Sequence, residues 1–226
     1  MKTLIIVFFS LFFFDGCFAQ SYYRISGDFS IKGKSENSAQ LVIGKFYYDK
    51  NERKIIHDNV FPEKARWVTS DTNLYKVVDG KIESRQTIPN FTDFSMYHMV
   101  LNNSLNNFGL DGSDFTLDKV ENTDGMVIST WIPPKQMAKY LGKIMISAKN
   151  DNLFGIIFFN KEGDIIKKQF FEDYTINNGL PFPGKITEIT YGEDGKESYQ
   201  VTTYSNIVVN DHHEENNYHF SVSDYQ

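Results

Sequence analysis

The sequence predicts a mainly β protein whose strands run as an antiparallel meander, and three observations carry that prediction. From Leu41 to Ile88, turn chemistry recurs at short intervals: Asp49-Lys50-Asn51-Glu52, Phe61-Pro62-Glu63, Ser70-Asp71-Thr72-Asn73 and Asp79-Gly80. Between the turns stand β-branched and aromatic residues, which suit a pleated, half-buried surface. Beyond residue 110 the same pattern returns, with Asp124-Gly125 and Asp194-Gly195 as hairpin signals between apolar runs. Strands joined by tight turns pair antiparallel with their neighbours, so the large side chains of the meander collect on one face.

The elements follow in order. Phe29 and Ile31 alternate with Ser30, Lys32 and Lys34, so a half-buried strand comes first. The meander follows. Then Phe94, Tyr97, Leu101, Leu105 and Phe108 fall at steps of three and four, a helix stripe near 92–108. Thr92 fits as its N-cap and Gly109 as the C′ residue. Met96, Met99 and Val100 widen the apolar surface, so this helix has to be covered on more than one side, or to cover something.

Strands are expected near 114–121, 126–132, 142–149, 153–160, 164–174, 185–191, 197–209 and 218–222. Pro133-Pro134 opens a break with a short helix near 134–141. Tyr199, Val201, Thr203, Ser205, Ile207 and Val209 alternate with mostly polar neighbours. Met126–Ile132 and Leu153–Phe159 are apolar at both odd and even positions, so both faces are covered there. A helix, a cavity or a second sheet would each satisfy that. Phe46, Tyr48, Trp67, Tyr75 and Trp131, large aromatics on central strands, are the candidates for a concave ligand face. Phe94, Tyr97 and Leu101 are the candidates for a lid over it.

The N-terminus sets the compartment. Met1-Lys2 is followed by an apolar run from Leu4 to Phe14 broken only by Ser10, then by small residues at Cys17 and Ala19. This has the form of a signal peptide, 1–19, cleaved after Ala19 and leaving a single domain over 20–226. A rival reading makes Cys17 a lipid-carrying anchor in the outer membrane, but Phe14-Asp15-Gly16 is a poor approach to such a cysteine. Cys17 is the one cysteine of the chain, so after cleavage the fold relies on its core and not on disulfides. A net charge of −6 with no basic stripe argues against nucleic acid. With 20 Phe and 13 Tyr, apolar surface exceeds what a plain sandwich needs.

Catalytic chemistry is hard to find. Asp211-His212-His213-Glu214-Glu215 offers metal-binding side chains, but adjacent histidines on extended chain point apart and nothing nearby repeats a ligand spacing. It reads as a solvated turn. His98 reads as a packing residue on the helix. No Gly-x-Ser-x-Gly elbow occurs, and Gly109-Leu-Asp-Gly112 lacks the Lys and helix of a phosphate loop. Asp49, Asp58, Glu63, Asp71 and Asp79 could supply a carboxylate pair, although most sit where turns want local hydrogen bonding. The sequence therefore reads as a non-enzyme without cofactor or metal.

Gly44-Lys45-Phe46-Tyr47-Tyr48, then Phe61-Pro62-Glu63 with Trp67, then Ser70-Asp71-Thr72-Asn73-Leu74-Tyr75 resembles, in that order, the LolA-like periplasmic lipoprotein carriers. Asn206-Ile207-Val208-Val209-Asn210 and a last strand carrying Phe220 are similar to the family's C-terminal end. Thr72 and Asn73 depart from it, standing where the family shows Gly. The resemblance implies an incomplete antiparallel β-barrel with a hydrophobic concave face covered by helices. It implies a carrier that binds the acyl chains of lipoproteins, or other lipids, and takes them through the periplasm to the outer membrane. Partners of that kind are an acylated lipoprotein, an inner-membrane release complex and an outer-membrane acceptor. The family also uses an arginine near the cavity mouth, for which Arg53 and Arg66 are the candidates. A non-transport binding or scaffold protein of the same fold, and an exported hydrolase, stand as alternatives.

Overall fold

A computed structural model describes residues 21–225 apart from Asn37, Phe91 and Glu193. The expected signal peptide, Cys17 with its possible acylation, and the start at Gln20 lie outside the described residues, as does Gln226. Six strands come first: β1 (Arg24–Lys34), β2 (Ala39–Asp49), β3 (Lys54–Phe61), β4 (Ala65–Ser70), β5 (Asn73–Val78) and β6 (Lys81–Thr87). A connecting segment holds a 3-10 turn (Thr92–Phe94), the helix α1 (Met96–Leu101) and a second 3-10 turn (Leu105–Asn107). Seven strands follow: β7 (Thr116–Thr123), β8 (Met126–Ile132), β9 (Ile144–Lys149), β10 (Asn152–Phe159), β11 (Ile165–Asn177), β12 (Leu180–Tyr191) and β13 (Glu197–Val209). The chain closes with α2 (Glu215–Tyr218) and a 3-10 turn (Val222–Tyr225).

All thirteen strands form one curved antiparallel sheet that does not close, ordered β6-β5-β4-β3-β2-β1-β13-β12-β11-β10-β9-β8-β7. Local chemistry explains the hairpins. Asp79-Gly80, Asp124-Gly125, Asn150-Asp151 and Asn178-Gly179 each place two consecutive residues at positive φ between paired strand ends. That is the type I′ loop, whose twist matches the strands and whose backbone Asn, Asp and Gly tolerate best. The Asn178-Gly179 hairpin joins β11 and β12 into strands longer than the expected 164–174 and 185–191, with Pro181 and Pro183 inside β12. β12 pairs with β13 only from Lys185 onward, so on that flank no ladder needs the prolines' missing N–H groups.

The two faces are filled differently. The inner face carries Ile25, Phe29, Phe46, Tyr48, Ile55, Trp131, Ile146, Leu153, Ile156, Phe171 and Phe182, packed with Tyr97, Met99, Val100 and Leu101 from α1. The outer face of the first half carries Tyr47, Ile56, Val68, Tyr75 and Val77, covered by Tyr218 and Phe220 from the C-terminal tail. Arg24 helps to hold that tail: it pairs with Asp49 at 2.9 Å, donates to the Asp211 carbonyl at 3.2 Å and lies 4.6 Å from the centre of the Tyr218 ring.

Three expected elements differ. The helix over 92–108 is broken, because Asn103 turns left-handed (φ 53°) and the Asn102 side chain caps the His98 carbonyl. Residues 134–141 form separate turns closed by Ala138 N on the Pro134 carbonyl and Leu141 N on the Met137 carbonyl. No apolar face there is buried, and a single turn is costly to nucleate alone. Residues 218–222 are not a strand. Both neighbours of β1 are already taken, so Tyr218 and Phe220 lie on the outer face instead of extending the sheet.

The tail is therefore structural. Phe220→Ala should cost about 3 kcal/mol of folding stability or more, as for a buried aromatic, measured by urea denaturation. Loss of under about 1 kcal/mol would show that the tail only rests on the sheet.

Candidate functional site

The site grows out of the crossover. β6 and β7 are consecutive in sequence yet lie at opposite edges of the sheet. The segment between them must cross a face, and it crosses the inner one, with α1 over β1 and β12 and the Leu105 turn over β10. Ser95 starts α1, its hydroxyl accepting from His98 N at 3.2 Å. The underside of the helix, Tyr97, Met99, Val100 and Leu101, is buried.

Beneath α1 lies an aromatic cluster. Tyr97 stacks on Phe46 at 4.5 Å between ring centres, and Tyr204 meets Phe46 and Phe182 edge-on at 5.6 and 5.4 Å. Burial pushes the Tyr97 hydroxyl well above its ordinary range and the Tyr204 hydroxyl up to about 12. Phe29 packs edge-on to His57 at 5.2 Å.

One hairpin, β2–β3, makes four polar contacts with the crossover. Tyr48 Oη lies 2.7 Å from His98 Nδ1, His57 Nε2 3.2 Å from Tyr97 Oη, Lys50 Nζ 3.2 Å from Asn102 Oδ1, and Arg53 Nη2 2.5 Å from Asp93 Oδ2. Burial and then Asp93 raise the Tyr48 hydroxyl above its ordinary range, so Tyr48 donates and His98 accepts at Nδ1. Burial lowers His98, with Asp93 working against it. Burial lowers His57 to about 4, Asp58 working weakly the other way.

Of the eight expected cavity and lid residues, five share one cluster and a sixth lies on the same face. Phe46, Tyr48, Tyr97, Leu101 and Trp131 are buried on the inner face. Trp67, half-buried, sits across from His57 on the same side. Tyr75 does not join them. It pairs with Val68 and packs at a tilt against Phe220, 5.1 Å between ring centres, on the outer face, since strand alternation sends it opposite to its neighbour Leu74. Phe94 is 66 % exposed, because it precedes the Ser95 cap and turns away from the underside of α1. Of the two arginines, Arg53 reaches Asp93 in the 3-10 turn before α1, whereas Arg66 is held by Asp58 at 2.6 Å on the outer face.

Phe29, Phe182 and Tyr204 were missed by the sequence reading. For Tyr204 the cause is a β-bulge. Asp28 pairs with Ser205 and Ser26 with Val208, and Asn206 takes φ 52°. The extra residue shifts the phase, so Thr202 and Tyr204 face inward below it and Ile207 and Val209 above it. Among the acids, Asp49 and Asp58 are each paired with an arginine and Glu63 with Lys76 at 2.7 Å. His213 is 94 % exposed at its side chain and pairs with Asp211 at 2.8 Å.

Toward the far end of β11–β13 the inner face turns polar. Lys167 Nζ lies 2.7 Å from Glu188 Oε2, and Gln169 Nε2 donates to the same oxygen at 2.8 Å. A cavity of about 200 Å³ opens there, lined by Gly33, Ser35, Gln40, Glu188, Thr190 and Gln200 among others.

Neither a protein-family model nor a curated protein sequence matches the chain. Solved structures do match in fold. A LolA superfamily protein from Nitrosomonas europaea superposes with TM-score 0.54 at 14 % identity, covering 88 % of this chain and 90 % of that one. A DUF1329 family protein from Desulfovibrio piger gives 0.61 at 14 % identity over 92 % and 93 %. A domain from Vibrio parahaemolyticus described as an outer membrane lipoprotein-sorting protein gives 0.58 at 12 % identity over 87 % and 89 %. The chain thus has the LolA-like fold.

His57 ties this site to pH. An unfolded histidine takes up its proton near pH 6.5, whereas folded His57 resists until about 4. Between those values the unfolded state binds more protons, so stability is full above pH 6.5 and falls on acidification, by at most about 1.4 kcal/mol per pH unit from this group. Chemical denaturation across that window should show the slope, and His57→Gln should flatten it.

Proposed function

We propose that the protein is a periplasmic carrier that shelters the acyl chains of lipoproteins, or of other lipids, between the inner face and α1. The observation that supports this reading is the construction of the cover. An apolar helix underside is laid over an aromatic inner face, and its polar fastenings come from the β2–β3 hairpin. Three hydrogen bonds contribute about 1 kcal/mol each, and the half-exposed Arg53–Asp93 pair adds less than about 1 kcal/mol. Burying about five methylenes, at about 0.8 kcal/mol each, offsets all of them. A single acyl chain carries enough apolar surface to displace the cover and take its place, and Met99 in the underside adapts to either packing.

On this reading Phe46, Tyr48, Tyr97, Leu101, Trp131 and Trp67 contact the chains. The LolA-like fold of the lipoprotein-sorting domain from Vibrio parahaemolyticus agrees with such a cargo. The protein is exported by residues 1–19, takes cargo from an inner-membrane release complex and gives it up to an outer-membrane acceptor. One observation favours the non-transport binding or scaffold reading instead: the inner face under α1 is filled by the protein's own side chains.

A long-chain fatty acid titrated into lipid-stripped protein should saturate and change tryptophan fluorescence, with Trp131→Phe removing most of the signal. Leu101→Ala should speed release several-fold. An unchanged spectrum at saturating fatty acid would reject the carrier and leave the scaffold.

A further inference from the structure

The polar end of the inner face is built from four adjoining strands. Register places Gly33, Gln200, Glu188 and Gln169 side by side across β1, β13, β12 and β11. One row further out come Ser198, Thr190 and Lys167. One row toward α1 the same strands carry Ile31, Thr202, Ile186 and Phe171, mostly apolar and packed with the core. The inner face is therefore two-part, apolar beneath α1 and polar at the far end, with no strand break between.

The polar end has acceptors to spare. Both partners of Glu188, the Lys167 ammonium and the Gln169 amide, fall on Oε2, and Glu188 itself lines the cavity. Gln169 points its N–H₂ at that carboxylate, which fixes the amide's orientation, and its Oε1 is buried with no hydrogen-bond partner among the described residues. A sealed acceptor without a donor is costly in a folded protein. Gln169 is not part of the cavity lining, so Glu188 supplies the acceptor that a ligand meets there, and a primary ammonium, which donates three hydrogen bonds, suits a carboxylate oxygen. Lys167, once Glu188 has a second cation to answer, is free to turn to an anion, for which a phosphate is the natural partner of a point-charge ammonium.

The geometry points to a headgroup site for a zwitterionic phospholipid bearing a primary amine, of the phosphoethanolamine type. Its ammonium is held by Glu188, its phosphate by Lys167, and its acyl chains run along the apolar rows under α1. The cavity of about 200 Å³ at Glu188 receives the head. This assignment rests on the carrier reading and narrows its cargo. Choline lipids carry the same charges but offer no N–H donor, and glycerol lipids carry the phosphate without the ammonium, so each lacks one half of the match.

The test is retention from a mixture. Lipid-stripped full-length protein is incubated with vesicles of equal parts phosphatidylethanolamine, phosphatidylcholine and phosphatidylglycerol of identical chains. It is then re-isolated, and bound lipid is read by mass spectrometry. Phosphatidylethanolamine should be retained about tenfold over each of the others, the discrimination that one charge-assisted hydrogen bond supplies. Glu188→Gln should erase that preference while fatty-acid binding stays intact. Soluble phosphoethanolamine should compete only weakly, because it brings no chains. Equal retention of the three lipids, or a preference that survives Glu188→Gln, overturns the headgroup site and leaves the carrier standing. Failure to bind fatty acid or any lipid overturns both.

Discussion

The pairing of β1 with β13 is the interaction on which everything else depends. It sets Ile25 beside Val209 and Lys34 beside Tyr199, and so welds the two ends of the chain into the middle of the sheet. Closing so long a loop is less costly than it looks, because the entropy grows only with the logarithm of length. Relative to a tight hairpin the excess is about 3 kcal/mol, which the ladder and the apolar residues flanking it repay. Asn210 seals the joint, its backbone N–H donating to the Arg24 carbonyl at 3.0 Å and its side-chain oxygen accepting from Tyr23 N at 3.0 Å. With the ends in the centre, the two halves meander outward, and the residues that are neighbours at mid-chain arrive at opposite edges. The crossover over the inner face is then obligatory, and the cover over the site is a topological consequence rather than an added part.

That same pairing decides which sequence signals could be read. The first meander was legible because each of its turns is short and local. Asp79-Gly80 announces itself in the sequence there, as Asp124-Gly125 does in the second half, and the strands of the meander carry the period of a half-buried sheet. Six inner-face or crossover aromatic and aliphatic positions followed from large side chains on those strands and from the stripe at Tyr97 and Leu101. What was not legible depends on long-range neighbours. The bulge at Asn206 lies opposite Gly27 of β1, where a Cβ would collide with Ile207 and Phe46. No periodicity within β13 can reveal it, so Tyr204 looked outward. Tyr75 and Phe220 looked like members of a ligand face and a strand, whereas they are two halves of one contact on the other side. The helix was drawn too long, because a stripe of apolar residues continues through Asn102 and Asn103 although the backbone does not.

The polar end of the inner face was invisible for a related reason. Lys167, Gln169 and Glu188 are ordinary alternating residues within their own strands, and only the register of β11 against β12 makes them a cluster. Sequence patterns of period two report which way a side chain points, and not what stands across from it.

The C-terminal tail gives the molecule two walls of unequal stiffness. Behind β2–β6, Tyr218 and Phe220 add a third layer, so that half of the sheet is clamped from both faces. The α1 fastenings Tyr48, Lys50, Arg53 and His57 spring from that clamped half. Behind β10–β13, Phe154 and Phe170 share the outer face with Ile166 and Tyr199, 41 % and 43 % exposed, without a backing layer among the described residues. The thin wall is the half of the sheet with fewer contacts to resist bending, while the thick wall and the helix fastened to it are braced together.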